Sequence, residues 1–298
     1  MSLLSNSGRL AVQSSISLQS ISTWMPQNRS GYTLPFEEVV PGDDSFGHAA
    51  VIPWDSDIFG FPVAQYRIGS DRIEEYRTDA LNESLLSWLH RNDVALCSCA
   101  VPASNAFWRT YLPRLGFEWV DLVLRVTLNG LNKASLRPAR FTLRKAVPGD
   151  AVAIAAIAGQ AFVHGRYHAD PRFPNDLANQ RYSQWATNAL ARSNSGEYLY
   201  VMGEPGKVQG FYHFTVDESV SDLRLAALAP ELQGTMLGFD LYLAVLHTLK
   251  ELGVRRVVST ISGTNTPVMN VYSMLGFRFS DPEVIYHWHL PRPQPGVA

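Results

Sequence analysis

Two segments in the last third of the chain carry residue types at spacings that can do chemistry. Asn265 is followed seven residues later by Tyr272, and Leu275-Gly276-Phe277 then closes the segment. An amide and a phenol two helical turns apart share one face, where the amide can hold an extended polar arm and the phenol can release a proton. Upstream, Gln233-Gly234-Thr235-Met236-Leu237-Gly238 follows a strand-like run at 223–229 and opens another helix. A strand, a glycine-bearing turn and a helix start make an anion site, because unpaired backbone N–H groups at a helix N-terminus point at phosphate oxygens. The two segments together point to acyl transfer from a phosphate-bearing carrier.

The elements that must position these groups follow from periodicity. A break at 129–140, with no apolar period and with Gly and Pro, divides the chain into two halves. The second half reads as a strand at 141–144, an Ala-rich helix at 151–162 with Asp150 as its N-cap, and strands at 197–202 and 208–216 joined by Gly203-Glu204-Pro205-Gly206. Then come the strand at 223–229, a helix from about 234 to 252, a strand at 254–261, a helix at 267–275 and a last strand near 284–290. This order predicts an α/β fold with an antiparallel start and a later crossover. The expected division is a flexible leader at 1–35, a domain at 36–130, a linker at 131–140 and a second domain at 141–298.

The first half echoes the second at an offset of 160. Val94 meets Val254, Leu115-Gly116-Phe117 meets Leu275-Gly276-Phe277, and Leu85, Leu86 and Leu89 meet Val245, Leu246 and Leu249. The chemical positions do not repeat. Leu112 stands where Tyr272 stands, and the glycine turn is replaced by Ile73-Glu74-Glu75-Tyr76-Arg77-Thr78, whose carboxylates repel a pyrophosphate. The first copy is therefore expected to supply surface and shape, and the second the chemistry. Chance similarity between two common helix-then-strand patterns is the alternative.

Composition narrows the class. The 298 residues are 46% apolar and 17% charged, with a formal net charge of -2, ordinary for a globular protein of two domains and without the basic field that nucleic acid demands. Cys97 and Cys99 lie two apart in a strand-like run, badly placed to pair, so reduced thiols and a cytoplasmic home are expected. No window reaches the roughly 18 apolar residues of a membrane span. Monomer and homodimer are both open.

The second half, over roughly 141–290, resembles the GNAT superfamily of N-acetyltransferases. The resemblance implies two GNAT-like domains with a mixed central sheet flanked by helices, the N-terminal copy degenerate and the C-terminal copy complete. It implies acetyl-CoA, or another acyl-CoA, as co-substrate, with Gln233, Gly234, Thr235, Met236, Leu237 and Gly238 at the pyrophosphate and Ala227 and Leu228 along the pantetheine. The N–H of Leu228 would donate to the thioester carbonyl. Asn265 and Tyr272 match the positions that hold the pantetheine arm and protonate the departing thiolate. Met236 departs from the family pattern, which has a central glycine there.

A narrower resemblance lies in His164-Gly165-Arg166-Tyr167-His168-Ala169-Asp170-Pro171-Arg172-Phe173, with Tyr182 and Trp185, and in Trp54 to Gly60. It is similar to acetyltransferases of nucleotide-activated amino sugars, the TDP-fucosamine acetyltransferase group. It implies a small-molecule amine acceptor, held by Arg166 or Arg172 at a phosphate and by Tyr167, His168 or Asp170 at sugar hydroxyls or the amine. Two other readings stand beside it: an amino acid, peptide or antibiotic amine as acceptor, and a non-catalytic GNAT-fold binding or regulatory protein with the donor site closed by Met236.

Plainer roles apply to several residues. His164 and His168, four apart with Asp170 near, lack a third firm metal ligand, so no metal is expected. His287 and His289 share a strand face and suit packing at the core edge. His213, in a central strand, is either a hydrogen-bonded core residue or within reach of the acceptor amine. Asp55 and Asp57 flank a turn they can cap, and Trp54 and Phe59 are expected to pack the first domain.

Overall fold

The structure is a computed structural model that describes residues 34–193 and 196–291. Of the expected leader, only Leu34 and Pro35 fall within the described residues. In chain order the elements are β1 (Glu37–Val40), β2 (Asp43–Val51), α1 (Pro53–Phe59), β3 (Val63–Arg67), α2 (Thr78–Arg91), β4 (Leu96–Pro102), α3 (Ala106–Tyr111) and β5 (Phe117–Asn129). They continue with β6 (Arg144–Lys145), α4 (Ala151–Ala161), α5 (Arg166–Ala169), α6 (Asn175–Ala191), β7 (Glu197–Met202), β8 (Gly210–Asp217) and β9 (Val220–Leu228). The last are α7 (Leu237–Glu251), β10 (Arg256–Ser262), α8 (Thr266–Met274), β11 (Arg278–Phe279) and β12 (Glu283–His289).

The strands form one mixed sheet in the order β1-β2-β3-β4-β12-β5-β10-β9-β8-β7-β6, with β11 added on β5. Only β3/β4 and β9/β10 pair in parallel among the described residues. The last long strand of each half is exchanged: β12 lies between β4 and β5, and β5 lies between β12 and β10. The halves are thus joined through about a dozen shared ladder positions rather than through a surface contact.

The offset of 160 reappears in local geometry. β4 and β10 start and end 160 residues apart, as do the first residues of α3 and α8. Both short helices are capped the same way: Asn105 Oδ1 accepts from Trp108 N–H at 3.1 Å, and Asn265 Oδ1 accepts from Val268 N–H at 3.3 Å. An N-cap amide satisfies one of the donors a helix start leaves orphaned. The 3-10 turn Leu112–Leu115 that follows α3, and α8 with Leu275 after it, both lead to a glycine in the left-handed region, Gly116 at φ 82 and Gly276 at φ 80, which a side chain would strain.

Period-2 alternation sends the residues of each strand to two faces. On one face, Tyr66, Cys97, Cys99, Tyr286 and Trp288 pack under α2 and α3, and Val257, Ile261, Tyr212 and Phe214 pack under α7 and α8. On the other, Leu199, Val201, Phe211, Leu225 and Ala227 pack against α4 and α6. Both cysteines are free and fully buried. No helix among the described residues is long and apolar enough to cross a membrane.

Several local expectations change. Asp150 holds the N-cap position of α4, but its side chain makes no capping bond to that helix; it is fully buried, and its carboxylate takes two bonds from Arg144, at 2.7 and 2.9 Å, and one from Val147 N–H. The Arg144 bonds, working against burial, hold Asp150 down at about 2. The strand expected at 141–144 shortens to β6, a two-residue edge. Phe59 packs against Phe61 of the first half at 5.9 Å and also reaches edge-on to Tyr167 and Phe173, with centroids 5.1 and 4.8 Å away. Asp55 likewise is no surface cap. It is fully buried and reaches across to Arg181 Nε at 2.7 Å and Tyr167 Oη at 2.7 Å, with Arg166 at 3.6 Å.

Candidate active site

The site is built where β9 and β10 part. The two strands pair at four positions, from Val220 with Arg256 to Leu223 with Ser259, and then run on unpaired to Leu228 and Ser262. Parallel strands that stop pairing leave a wedge edged by backbone N–H and C=O groups, which seek a partner. A bulge assists: His213 opposes Leu225 and Phe214 opposes Leu223, so Arg224 is the extra residue and β9 bends there. Leu228 opposes Gly210, and the N–H of Ala229 donates to Gln209 C=O at 2.8 Å. In an antiparallel ladder the alternate residue turns its N–H and C=O the other way, so those of Leu228 face the wedge. The C=O is held by Gln233 Nε2 at 3.2 Å.

The wedge leads into the glycine turn. Gly234 sits at φ 73 with open space around it, and Gly238 is equally unobstructed. Thr235 Oγ1 donates to Leu232 C=O at 2.7 Å and accepts from Leu237 N–H at 3.3 Å, which fixes the turn before α7. Among the described residues the backbone N–H groups of Gly234, Thr235 and Met236 have no protein acceptor. Met236 adopts φ -64, an ordinary helical value, and the residue is 62% exposed. The side chain that replaces the family's glycine thus leans into solvent.

Tyr272 closes the base of the wedge. It is 2% exposed; its hydroxyl donates to Ser259 Oγ at 2.9 Å, and Ser259 donates to Leu223 C=O at 2.9 Å. These are the residues at which the strands cease to pair. Tyr242 and Phe277 flank the ring at 5.3 and 4.8 Å. Burial raises the phenol pKa, against the bond to Ser259, so the hydroxyl keeps its proton.

Two carboxylates stand on the opposite, α4–α6 face. Asp222 precedes the last paired residue of β9; burial raises its pKa against Arg224 at 3.2 Å, while about 34% of its side chain stays open. Its charge reaches Tyr272 through the sheet and helps to raise that phenol. Asp121 lies on β5, where Asp121 opposes Ile285 and Trp119 opposes Tyr286, leaving Val120 as an extra residue. That bulge reverses the alternation and turns Asp121 to the α4–α6 face. Burial raises Asp121 as well, and its Oδ1 accepts from Ser262 Oγ at 2.7 Å. Neither was singled out from sequence. Asp121 left one signal, a carboxylate at an inward position of an apolar strand; Asp222, alternating with Arg224, looks like ordinary exposed pairing.

The residues expected to hold the acceptor are tied together internally. Arg166 is buried, donates to Tyr167 Oη at 2.8 Å and stands 4.3 Å over that ring. Tyr167 spends its own proton on Asp55. Arg172 pairs with Glu118 at 3.0 Å. His168 Nε2 lies 3.0 Å from Asn179 Oδ1, and its ring stacks on Tyr182. Asp170 Oδ2 accepts from His287 Nδ1 at 2.7 Å and His289 Nε2 at 2.6 Å, bonds that overcome burial and hold its pKa low. This joins His287 and His289 to Asp170, not His164 and His168, in a donor set of metal-ligand type whose contacts hydrogen bonding accounts for. His213 is 1% exposed, 3.3 Å from Glu197, and burial lowers its pKa against that carboxylate.

An α/β sheet with a parted parallel pair and a glycine turn at the next helix defines a fold class, and comparison with known proteins fits it. Residues 140–278 match the model of the acetyltransferase (GNAT) domain family. The chain is 25% identical over 218 residues to the mycothiol acetyltransferase of Renibacterium salmoninarum, covering 69% of this chain and 58% of that protein. It is 27% identical over 215 residues to the mycothiol acetyltransferase of Pseudarthrobacter chlorophenolicus, covering 68% and 60%. The chain thus matches about three-fifths of the length of these relatives. In fold it is similar to a GCN5-related N-acetyltransferase from Sphaerobacter thermophilus, with TM-score 0.57, 16% identity and 83% and 77% of the two chains covered. It is also similar to a tandem GNAT protein from the clavulanic acid biosynthesis pathway, with TM-score 0.53, 18% identity and 83% and 80% covered.

Proposed function

We propose that the protein is an acetyl-CoA-dependent N-acetyltransferase acting on a small-molecule amine by direct transfer. The observation that carries this reading is the unpaired edge of β9 at Leu228, which continues into the open glycine turn at 233–238. The turn takes the pyrophosphate on the N–H groups of Gly234, Thr235 and Met236. The pantetheine lies in the wedge as a surrogate strand along Ala227 and Leu228, with Asn265 at the start of the neighbouring helix. The N–H of Leu228 steadies the oxyanion that forms when a neutral amine attacks the thioester. Asp222 takes up the amine proton, and Tyr272 returns a proton to the departing CoA thiolate. The raised pKa of Asp222 brings a carboxylate base nearer neutrality, and the raised pKa of Tyr272 keeps its phenol protonated, on the two faces of one wedge.

The acceptor is an amine of a hydroxyl-bearing small molecule, an amino sugar among them. A nucleotide-linked sugar is the narrower version, and it lacks support in the contacts: Arg166 and Arg172 have carboxylate or phenol partners within the protein. The relatives named mycothiol acetyltransferase favour a small molecule over a peptide. The first half is the copy that kept caps and strands and gave up the donor turn; it contributes β5, and with it Asp121, to the second half's site. The two free, buried thiols suit the reducing cytoplasm.

The test is release of free CoA from acetyl-CoA with D-glucosamine as probe amine, wild type against Leu228→Pro, which removes the N–H. Release that depends on glucosamine and falls at least tenfold in the variant supports the reading. Equal release from both proteins overturns it.

A further inference from the structure

A second polar array on the α4–α6 face is not used by the transfer chemistry. Its members come from three elements distant in sequence. Asp121 on β5 accepts from Ser262 Oγ at 2.7 Å; Ser262 Oγ lies 2.9 Å from Thr264 Oγ1; Thr264 Oγ1 lies 3.2 Å from His164 Nδ1. Asp121 is 3% exposed and Ser262 is 9% exposed, so the start of the row is shielded from solvent, whereas His164 is half-buried.

The direction of the row follows from what each group can do. A carboxylate only accepts, so the Ser262 proton is committed to Asp121. Ser262 then has only lone pairs to offer, so Thr264 donates to it. Thr264 in turn can only accept from His164, and Nδ1 must carry the proton. A neutral imidazole with Nδ1–H leaves Nε2 as a bare lone pair. Among the described residues Nε2 has no protein partner.

The position of that lone pair is set from both sides of the wedge. Phe162 packs on the cluster that holds Leu225, Ala227 and Ala229 at the end of β9, while His164, two residues on, is bonded to Thr264 just past the end of β10. The segment between α4 and α5 therefore bridges the mouth of the wedge. Gly165 at φ 140 makes the turn after it, and a Cβ there would meet Tyr182 Oη at 2.9 Å.

We propose that His164 is the acceptor-recognition residue: the Asp121–Ser262–Thr264 row locks its ring so that Nε2 takes a hydrogen bond from a hydroxyl of the incoming amine. This rests on the acetyl-transfer reading and extends it to substrate class, an amine with a neighbouring hydroxyl rather than a simple alkylamine. His164 acts on binding of the acceptor, not on the proton transfers.

The experiment has two arms on the full chain. In the first, the long-range 1H–15N spectrum of the histidine side chains, assigned with His164→Gln, is expected to show the Nδ1–H tautomer for His164 at pH 8. Ser262→Ala, which breaks the row, is expected to return it to the commoner Nε2–H form. An Nε2–H tautomer in the wild type overturns the proposal. In the second arm, acetylation of D-glucosamine is compared with that of cyclohexylamine. His164→Ala is expected to raise KM for glucosamine tenfold or more, leave kcat and KM for cyclohexylamine within about threefold, and leave acetyl-CoA affinity unchanged. An unchanged KM for glucosamine overturns the proposal while the transfer reading stands. Failure of wild type to bind acetyl-CoA overturns the transfer reading, and the tautomer arm then decides the row by itself.

Discussion

The Tyr272 hydroxyl donates to Ser259 Oγ at 2.9 Å, and Ser259 is the last residue of β10 still paired with β9. The proposed acid is therefore fixed to the hinge of the wedge rather than to a loop. Ser259 supplies the contact that orients it, and burial keeps it protonated above the usual phenol range. Tyr272→Phe is expected to lower kcat by roughly 10²-fold or more, the scale of a lost general acid, while acetyl-CoA binds as before. Stopped-flow and steady-state CoA release separate the two. Full turnover in the variant removes Tyr272 as the acid.

Asp222 gives a second kinetic expectation. Its raised pKa places the acid limb of kcat/KM above the ordinary Asp value of 3.8, because the base works only when ionised. Asp222→Asn is expected to abolish that limb and to lower kcat/KM by roughly 10²-fold. A pH–rate series on both proteins checks it; an acid limb that persists in the variant assigns the base elsewhere.

Asp55 joins the halves electrostatically. Burial alone would raise its pKa, but Arg181 and Arg166 outweigh that and hold it ionised. Asp55→Ala leaves two guanidiniums buried against too little negative charge, and loss of one partner from a buried pair costs about 3–5 kcal/mol. Guanidinium-chloride unfolding is expected to show a loss of that order. A loss under about 1 kcal/mol would mean that water reaches the arginines.

His287 and Asp170 make stability depend on pH in one direction. Burial lowers His287 to about 4 from 6.5, so between those values the unfolded chain binds a proton that the folded chain does not. Stability from this group is complete above about 6.5 and is lost as pH falls toward 4. The lowered Asp170 adds the same sign below 3.8, where the unfolded carboxylate protonates first. A fall of the order of 1–3 kcal/mol between pH 7 and pH 4 is expected from His287, and His287→Gln is expected to flatten it. Equal slopes in the two proteins would show that the imidazole is not the group responsible.

Much of the frame was legible because it rests on local chemistry. The offset of 160 and the helix end at Leu275-Gly276-Phe277 were legible as short-range patterns, whereas Asn265, read as the amide that holds the carrier arm, serves in the structure as a helix N-cap, as Asn105 does. The exchange of β5 and β12 was not legible, because an apolar strand pattern says nothing of which neighbour it will take. Asp121 was hidden for a related reason: only the extra residue Val120 sends its side chain to the α4–α6 face, and that bulge exists only in the pairing with β12. Arg166, Tyr167 and Asp170 were visible as polar residues beside a cleft. Their partners Asp55, His287 and His289 lie more than 100 residues away, so sequence could not tell an acceptor clamp from an internal brace.

The most direct measurement is a calorimetric titration of the purified chain with acetyl-CoA. Saturable binding of one equivalent per chain is expected, since among the described residues only the second half has the open turn. Gly234→Val, which places a β-branched residue at φ 73, is expected to weaken it at least tenfold. No binding to the wild type, or two equivalents per chain, would contradict the assignment of a single donor site at the parting of β9 and β10.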